Sequence, residues 1–305
     1  MSDTSIKKPL FYGILGAFFF AFTFILNRSM NLGGGHWMWS ACLRYFYTLP
    51  ILFVMLAVKG QIRDILKEIR ENFWFWILWS TVGFGLFYAP LSLASAYGES
   101  WMIASTWQIT IVAGVLLTPL FGRKIPMKNL CMSMVILAGI FLMQSAHFAE
   151  AADSAGRMFM ILIPILVAAF SYPLGNRMTM AHCPANLNSF QRIFGMTLCS
   201  MPFWIICAVY AGVQAGAPSM GQHLQSMLVA LFSGVIATCL FFKATDLVKH
   251  NPKQLAIIEA TQSGEVIFTL IGGICFLGDA MPSAMGFIGI LLIIAGMTAS
   301  SLLQN

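Results

Sequence analysis

The sequence predicts an all-α membrane protein: ten transmembrane helices arranged as two inverted five-helix repeats, with both termini in the cytoplasm. Three observations carry that reading. Of the 305 residues, 59% are hydrophobic and only 9% are charged, whereas a soluble domain carries roughly a quarter charged residues. Apolar stretches of about 20 residues, the length a helix needs to cross hydrocarbon, recur along the whole chain. Finally, phrases from the first half return in the second half in the same order.

Taken in order, the first span covers 10–30 and follows the charged start MSDTSIKKP. No small-residue cleavage site follows a short apolar run, so this segment reads as a spanning helix and not as a removed signal. Spans at 37–58 and 73–97 flank KGQIRDILKEIREN (59–72), whose mixed charges predict a solvated surface helix. Spans at 101–121 and 129–147 complete a first repeat, residues 1–150. The second repeat, 151–305, holds spans at 158–180, 188–212, 225–248, 254–278 and 284–303. Pro90, Pro119, Pro164, Pro173 and Pro202, with Gly83 and Gly85, fall inside these spans and predict bends and close helix approach.

Lys and Arg in the loops orient the chain. With a cytoplasmic N-terminus, that side collects Lys7, Lys8, Lys59, Arg63, Lys67, Arg70, Arg123, Lys124, Lys128, Arg177, Lys249 and Lys253, against Arg28 and Arg157 opposite. The internal repeat is read from four matches. AFTFILNRSM (21–30) returns as AFSYPLGNRMTM (169–180), and Arg44 in LRYFYTLP matches Arg192 in QRIFGMTL. STWQIT (105–110) parallels EATQSGE (259–265), setting Gln108 against Gln262, and VILAGIFLM (135–143) parallels LIIAGM (292–297). An odd number of spans per copy turns the second copy upside down, an arrangement characteristic of secondary transporters with a midplane substrate site. Two complete repeats in one chain suit a monomer or a homodimer.

Other classes find little support. The seven cysteines form no CxxC pair and mostly lie in apolar runs, as core thiols do. The net charge of +6 sits in short loops, so nucleic acid is not an expected partner. There is no GxxxxGK[ST] loop, no HExxH and no assembled Ser-His-Asp set. His36, His147, His182, His223 and His250 are scattered near span ends. The expectation is a transporter and not an enzyme, with no cofactor and no metal.

Arg44 at LRYF, the glycine-bearing ILAG and IIAG ends of spans 5 and 10, and LGDAMP (277–282) resemble the drug/metabolite transporter superfamily in its ten-helix, EamA-like form. FYAPLSLASAYGESWMIASTWQITIVAGVLLTPLFGRKIP (87–126) and IIEATQSGEVIFTLIGG (257–273) are similar, more narrowly, to multidrug resistance efflux transporter family proteins. The resemblance covers essentially the whole chain and implies efflux of small molecules from a cell's inner (plasma) membrane. Two departures stand out. The four-helix relatives couple to protons through a glutamate in their first helix, and span 1 here contains no acid. Where many relatives place a glutamate after LG, this chain has Asp279, whose place near the end of span 9 suits closing a helix.

A charge inside a bilayer costs about 2.5–3.5 kcal/mol on insertion scales, so each one requires a partner or a wet cavity. Glu265 lies near the middle of span 9 and Glu259 about one turn inside its start. Glu265, assisted by Glu259, is the candidate for proton or cation coupling; the competing role is a permanent bridge to Arg44 or Arg192. Those two arginines fit helix packing common to both repeats, or contact with a carboxylate substrate. Trp107 and Tyr88, with Gln108 and Gln262, form a candidate aromatic and amide lining for flat or cationic ligands, the alternative being core packing. The function expected is proton-coupled efflux of small amphipathic or cationic compounds by alternating access. An amino-acid or metabolite exporter with other or no coupling is the alternative. Arg28 defies the charge bias and lacks an explanation in the sequence, beyond an outer-gate contact or a relic of the repeat.

Overall fold

The computed structural model describes residues 6–122, 124–125, 127–149, 154–184, 186–248 and 251–302. Arg123, Lys249 and His250 lie outside the described residues, as do the side chains of His147 and Lys253. The N-terminal half holds α1 (Lys7–Leu32), α2 (Trp37–Val58), α3 (Ile62–Glu71), α4 (Phe73–Ala94), α5 (Ser100–Leu116) and α6 (Met127–Ala149). Then come α7 (Ser154–His182), α8 (Ser189–Cys199), α9 (Met201–Ala215), α10 (Met220–Val248), α11 (Ile257–Leu277) and α12 (Ala284–Leu302). Among the described residues there is helix and no strand, as apolar segments that satisfy their own backbone groups require.

Eight of these helices are long and apolar enough to cross a membrane, and the pair α8–α9, bent by 43°, makes a ninth. The bend falls at Ser200, just before Pro202, which brings no N–H to continue the ladder. The predicted span 101–121 corresponds to α5, a shorter apolar helix that ends in a tight 3₁₀ turn at Thr118–Phe121. Among the described residues the count is therefore eight or nine full-length helices and one short one, where ten spans were expected. The surface helix is present as α3: Ile65 and Ile69 are buried against α8, while Arg63, Lys67 and Arg70 stay outside or at the rim. At the start of α8, Asn188 accepts the Gln191 amide N–H at 3.0 Å, and the Gln191 side chain accepts that of Asn188 at 2.9 Å, a reciprocal cap.

Of the expected bends, Gly83 and Gly85 fall in a π-helical stretch, Pro119 in a 3₁₀ turn and Pro202 at the α8–α9 bend. α7, by contrast, runs unbroken through Pro164 and Pro173. Further interruptions lie where none was expected. α4 contains a wide π-helical stretch at Thr81–Gly85, and α10 contains one at Ala230–Ala237. α5 breaks at Gln108, whose N–H bonds to Ser105 three residues back. α11 tightens to 3₁₀ geometry at Thr261–Ser263. Both breaks fall on the Gln108–Gln262 match of the internal repeat. Glycines allow the closest helix crossings. α4 meets α7 at Gly83 and Gly175, where a Cβ on Gly83 would lie 3.1 Å from the Gly175 Cα, and one on Gly175 would overlap Gly83.

α6 and α12 lie against each other along their length. A Cβ on Gly139 would lie 2.7 Å from the Gly289 carbonyl and 3.0 Å from Ile293; one on Gly296 would lie 2.7 Å from Ile136 and 3.3 Å from the Met132 carbonyl. The repeat match sets Gly139 on Gly296 and carries Ile136 to Ile293 and Met132 to Gly289. Each contact therefore returns with the helices exchanged. The core packs around Trp101, Trp204, Tyr88 and Phe24, while large residues such as Phe141 and Val213 face outward.

Because Gly175 meets backbone, Gly175→Ala is expected to lower stability by about 1–3 kcal/mol, the range for overpacking a tight contact. Gly156→Ala, where nothing lies within 4 Å, is expected to leave the thermal midpoint in detergent unchanged.

Candidate functional site

The Asn-Arg phrase that closes α1 has two jobs. Asn27 is fully buried and its side-chain nitrogen lies 3.0 Å from the Tyr88 hydroxyl. Arg28 turns to Asp279, with 3.6 Å between Nε and Oδ1 and side-chain exposures of 14% and 1%. Asp279 follows Gly278, whose left-handed φ of 67° ends α11. Its second oxygen accepts the Ser100 backbone N–H at 2.8 Å and the Ser100 hydroxyl. The expectation that Asp279 closes a helix is thus met on a different helix: it caps α5, where a carboxylate complements the positive helix end. Trp101 adds an indole N–H bond to the Ala280 carbonyl at 3.0 Å.

The second phrase closes α7 in a comparable way. Arg177 donates to the Gly114 carbonyl at 2.7 Å and lies 5.8 Å from the Phe121 ring. Each Asn-Arg arginine therefore grips the far end of a broken helix, Arg28 that of α11 and Arg177 that of α5. The gripped ends behave differently. At the Arg28 end, Ser100–Trp107 packs against Gly264–Gly272 and both pack on α1. No comparable packing joins the other halves: Ile109–Leu116 lies on α6 and α7, whereas Pro252–Ala260 lies on α10 and α12. α5 and α11 converge at the Arg28 end and part at their breaks.

Glu265 sits in the first turn beyond the α11 break. Among the described residues it makes no hydrogen bond and no ion pair. It lies deep in the protein yet keeps accessible surface. Arg44 has the same character. Its partners are neutral: Nη2 donates to the Ser233 hydroxyl at 3.2 Å, and the guanidinium carbon lies 4.0 Å from the Tyr88 ring centroid. Ser233 in turn accepts from Thr23 on α1. Arg192 on α8 is also partly exposed and makes no hydrogen bond or ion pair among the described residues. The permanent bridge from Glu265 to either arginine is not formed. Instead, Tyr172 of α7 lies within electrostatic reach of Arg44, Arg192 and Glu265 together.

An aromatic wall runs beside these groups. Phe87 lies 5.0 Å from Trp107 and 4.8 Å from Tyr172, and Trp107 lies 5.9 Å from Tyr172. Phe87 and Tyr172 keep accessible surface, whereas Trp107 is buried and Tyr88 has none. Tyr88 stands one layer back, between Asn27 and Arg44. Gln108 is buried and donates to the Ala104 carbonyl of its own helix at 3.0 Å, while Gln262 and Glu259 are partly exposed. Tyr172 and Phe87 were missed in the sequence. A signal for Tyr172 existed: AFSYPLGNR aligns it with Phe24 of AFTFILNR, a hydroxyl gained in one copy. No group of His, Cys, Asp and Glu among the described residues could hold a metal ion.

Residues 7–305 match the family model EmrE, described as "Putative multidrug resistance efflux transporter". The chain belongs to this family. It is thereby a member of the drug/metabolite transporter superfamily, as LRYF, ILAG and LGDAMP implied, and a multi-pass membrane protein. Among curated relatives it is 49% identical over 304 residues to "Uncharacterized protein YjlA" of Bacillus subtilis (strain 168), covering 95% of this chain and 93% of that protein. It is 41% identical over 271 residues to "Uncharacterized 42.1 kDa protein in intracellular alkaline protease 3'region" of Shouchella clausii, covering 86% of this chain and 71% of the other.

Asp279→Ala is expected to destabilise the protein by about 3–5 kcal/mol, because it leaves the buried Arg28 without its counter-charge. Arg28→Met combined with Asp279→Asn is expected to cost less than the sum of the single changes. Thermal unfolding of the four proteins in one detergent measures the coupling.

Proposed function

We propose that the protein is a secondary transporter that exports small amphipathic compounds across the inner (plasma) membrane by alternating access, with proton entry at Glu265 as the driving reaction. In this reading the ten helical segments form two inverted repeats, 1–150 and 151–305, with both termini cytoplasmic. The paired breaks in α5 and α11 and the exchange-symmetric α6–α12 contact support the repeat. Interrupted segments at corresponding positions of two halves are where transporters place their sites. Convergence of α5 and α11 at the Arg28 end then marks one end-state, closed outside and parted toward the cytoplasm. The opposite state would exchange the roles of the two ends.

The observation that carries the proposal is Glu265: a carboxyl group deep in an apolar bundle with some accessible surface and, among the described residues, no hydrogen-bond or ion-pair partner. Such a group is costly unless the protein uses it. It binds a proton when the cavity faces the acidic side and releases it when substrate occupies the cavity from the other. Arg44, Arg192 and Tyr172 are the groups whose fields bias that exchange, with Glu259 six residues, nearly two turns, back toward the start of α11. Family membership in an efflux group supports the direction.

Glu265→Gln keeps the shape and removes the exchangeable proton. In proteoliposomes loaded with a pH dye, substrate-driven proton movement across a panel of dyes, amino acids and nucleosides is expected to disappear in this variant. Proton flux equal to that of the unmodified protein would refute the coupling role.

A further inference from the structure

We infer that α3 is a docking surface for the headgroups of anionic phospholipids. Arg63 and Arg70 engage the headgroup phosphates, with Lys67 at their edge and the exposed apolar residues Leu66 and Trp74 beside them. The inference goes beyond the transport reading and does not depend on it.

The chain fixes where α3 lies. α2 ends at Val58 and α4 begins at Phe73, and both are long and apolar enough to cross a membrane. Lys59–Gln61 lead into α3 and Asn72 alone leads out. Its ten residues cover about 15 Å, so α3 bridges two span ends at the membrane surface. The residues at those ends face outward, Val58 being 84% exposed and Trp74 79%. The roll of the helix is fixed as well. Ile65 and Ile69 are buried, and a Cβ on Gly195 of α8 would lie 3.0 Å from Ile65. Just before α3, the Gln61 carbonyl accepts from the Gln191 side chain at 2.8 Å, and the Gln61 side chain accepts from Asn188 at 3.1 Å.

With the roll set, the six charges of α3 separate. Arg63, Leu66, Lys67 and Arg70 stand at i, i+3, i+4 and i+7 on one face, and all four are exposed. The three acids turn to another side. Asp64, Glu68 and Glu71 line a depression of about 200 Å³ with Pro184, Asn186 and Leu187 of the α7–α8 connection. Glu68 accepts from Asn72 at 2.9 Å and lies 3.5 Å from the His182 Nε2. Lys67 marks the boundary: it also lines the depression and lies 3.9 Å from Glu71. Arg63 and Arg70 make no hydrogen bond or ion pair among the described residues. A helix with three charges of each sign thus presents one cationic flank. Guanidinium forks engage phosphate oxygens in pairs, and each cation near an anionic surface strengthens binding about fivefold. Leu66, 43% exposed, stands between the two arginines, and Trp74 follows four residues after Arg70. Cations interleaved with exposed Leu and Trp suit the boundary between headgroups and acyl chains better than a soluble acidic partner.

The test uses the full chain in a neutral detergent at constant ionic strength. It is titrated with short-chain phosphatidylglycerol, phosphatidylcholine of the same chain length, inorganic phosphate and soluble polyglutamate. The thermal midpoint reports binding, because a ligand of the folded state raises it. Phosphatidylglycerol is expected to raise the midpoint in a saturable way, and the other three are not. Added salt should weaken the effect. The triple variant Arg63→Gln, Lys67→Gln, Arg70→Gln should lower the apparent affinity for phosphatidylglycerol at least tenfold. Lys8→Gln, Lys124→Gln, Lys128→Gln removes the same charge from exposed positions elsewhere and should change the affinity less than twofold. Equal losses in the two triple variants would reduce the effect to net charge and overturn the inference. So would phosphatidylglycerol acting no better than phosphatidylcholine. A response to inorganic phosphate or polyglutamate equal to that of phosphatidylglycerol would overturn the lipid as the partner. If the first triple variant does not fold, Arg70→Gln decides against Lys128→Gln, with an expected loss of at least threefold.

Discussion

The fold depends on one constraint: a charge removed from water inside an apolar bundle must be compensated locally. This protein satisfies that constraint in two ways, and the difference separates structure from function. Arg28 and Asp279 neutralise each other, and the carboxylate also accepts the bare Ser100 N–H and the Ser100 hydroxyl at the start of α5. One buried anion thus fixes the ends of three helices, α1, α5 and α11. Among the described residues, Arg44, Arg192 and Glu265 have no ion-pair partner. All three keep some accessible surface.

Much of this was written in the sequence, and what was hidden had physical reasons. The spans could be read because apolar length is a one-dimensional property. The depth of Glu265 and Arg44 followed from the same count. Asp279 was recognised as a helix-closing residue, but its helix begins at Ser100, 179 positions away, and spacing along one segment cannot reveal a cap supplied by another. The break at Gln108 was equally hidden, since STWQIT contains neither glycine nor proline. Tyr88 was selected for its aromatic ring, yet Asn27 draws it behind the wall. The aromatic surface that stays open belongs to its neighbour Phe87 and to Tyr172.

The two halves agree in their local devices and differ in their state. Each has an Asn-Arg phrase, a π-helical stretch, and a helix broken at a glutamine. On the proposed reading, the packed Arg28 end and the parted Arg177 end are two equivalent arrangements that are not both closed at once. Packed interfaces favour such discrete alternatives over a continuous average.

The contact between α6 and α12 has a consequence for how the chain is made. The glycine faces of α6 fit α12, which is synthesised more than a hundred residues later. Until then α6 lacks the helix that packs closely over the Gly139 carbonyl in the folded chain. Closing that long loop is entropically slow. Assembly of the bundle is therefore expected to finish with these two helices, and a nascent chain that has not yet released α12 presents the cell's membrane chaperones with a recognisable unpaired surface.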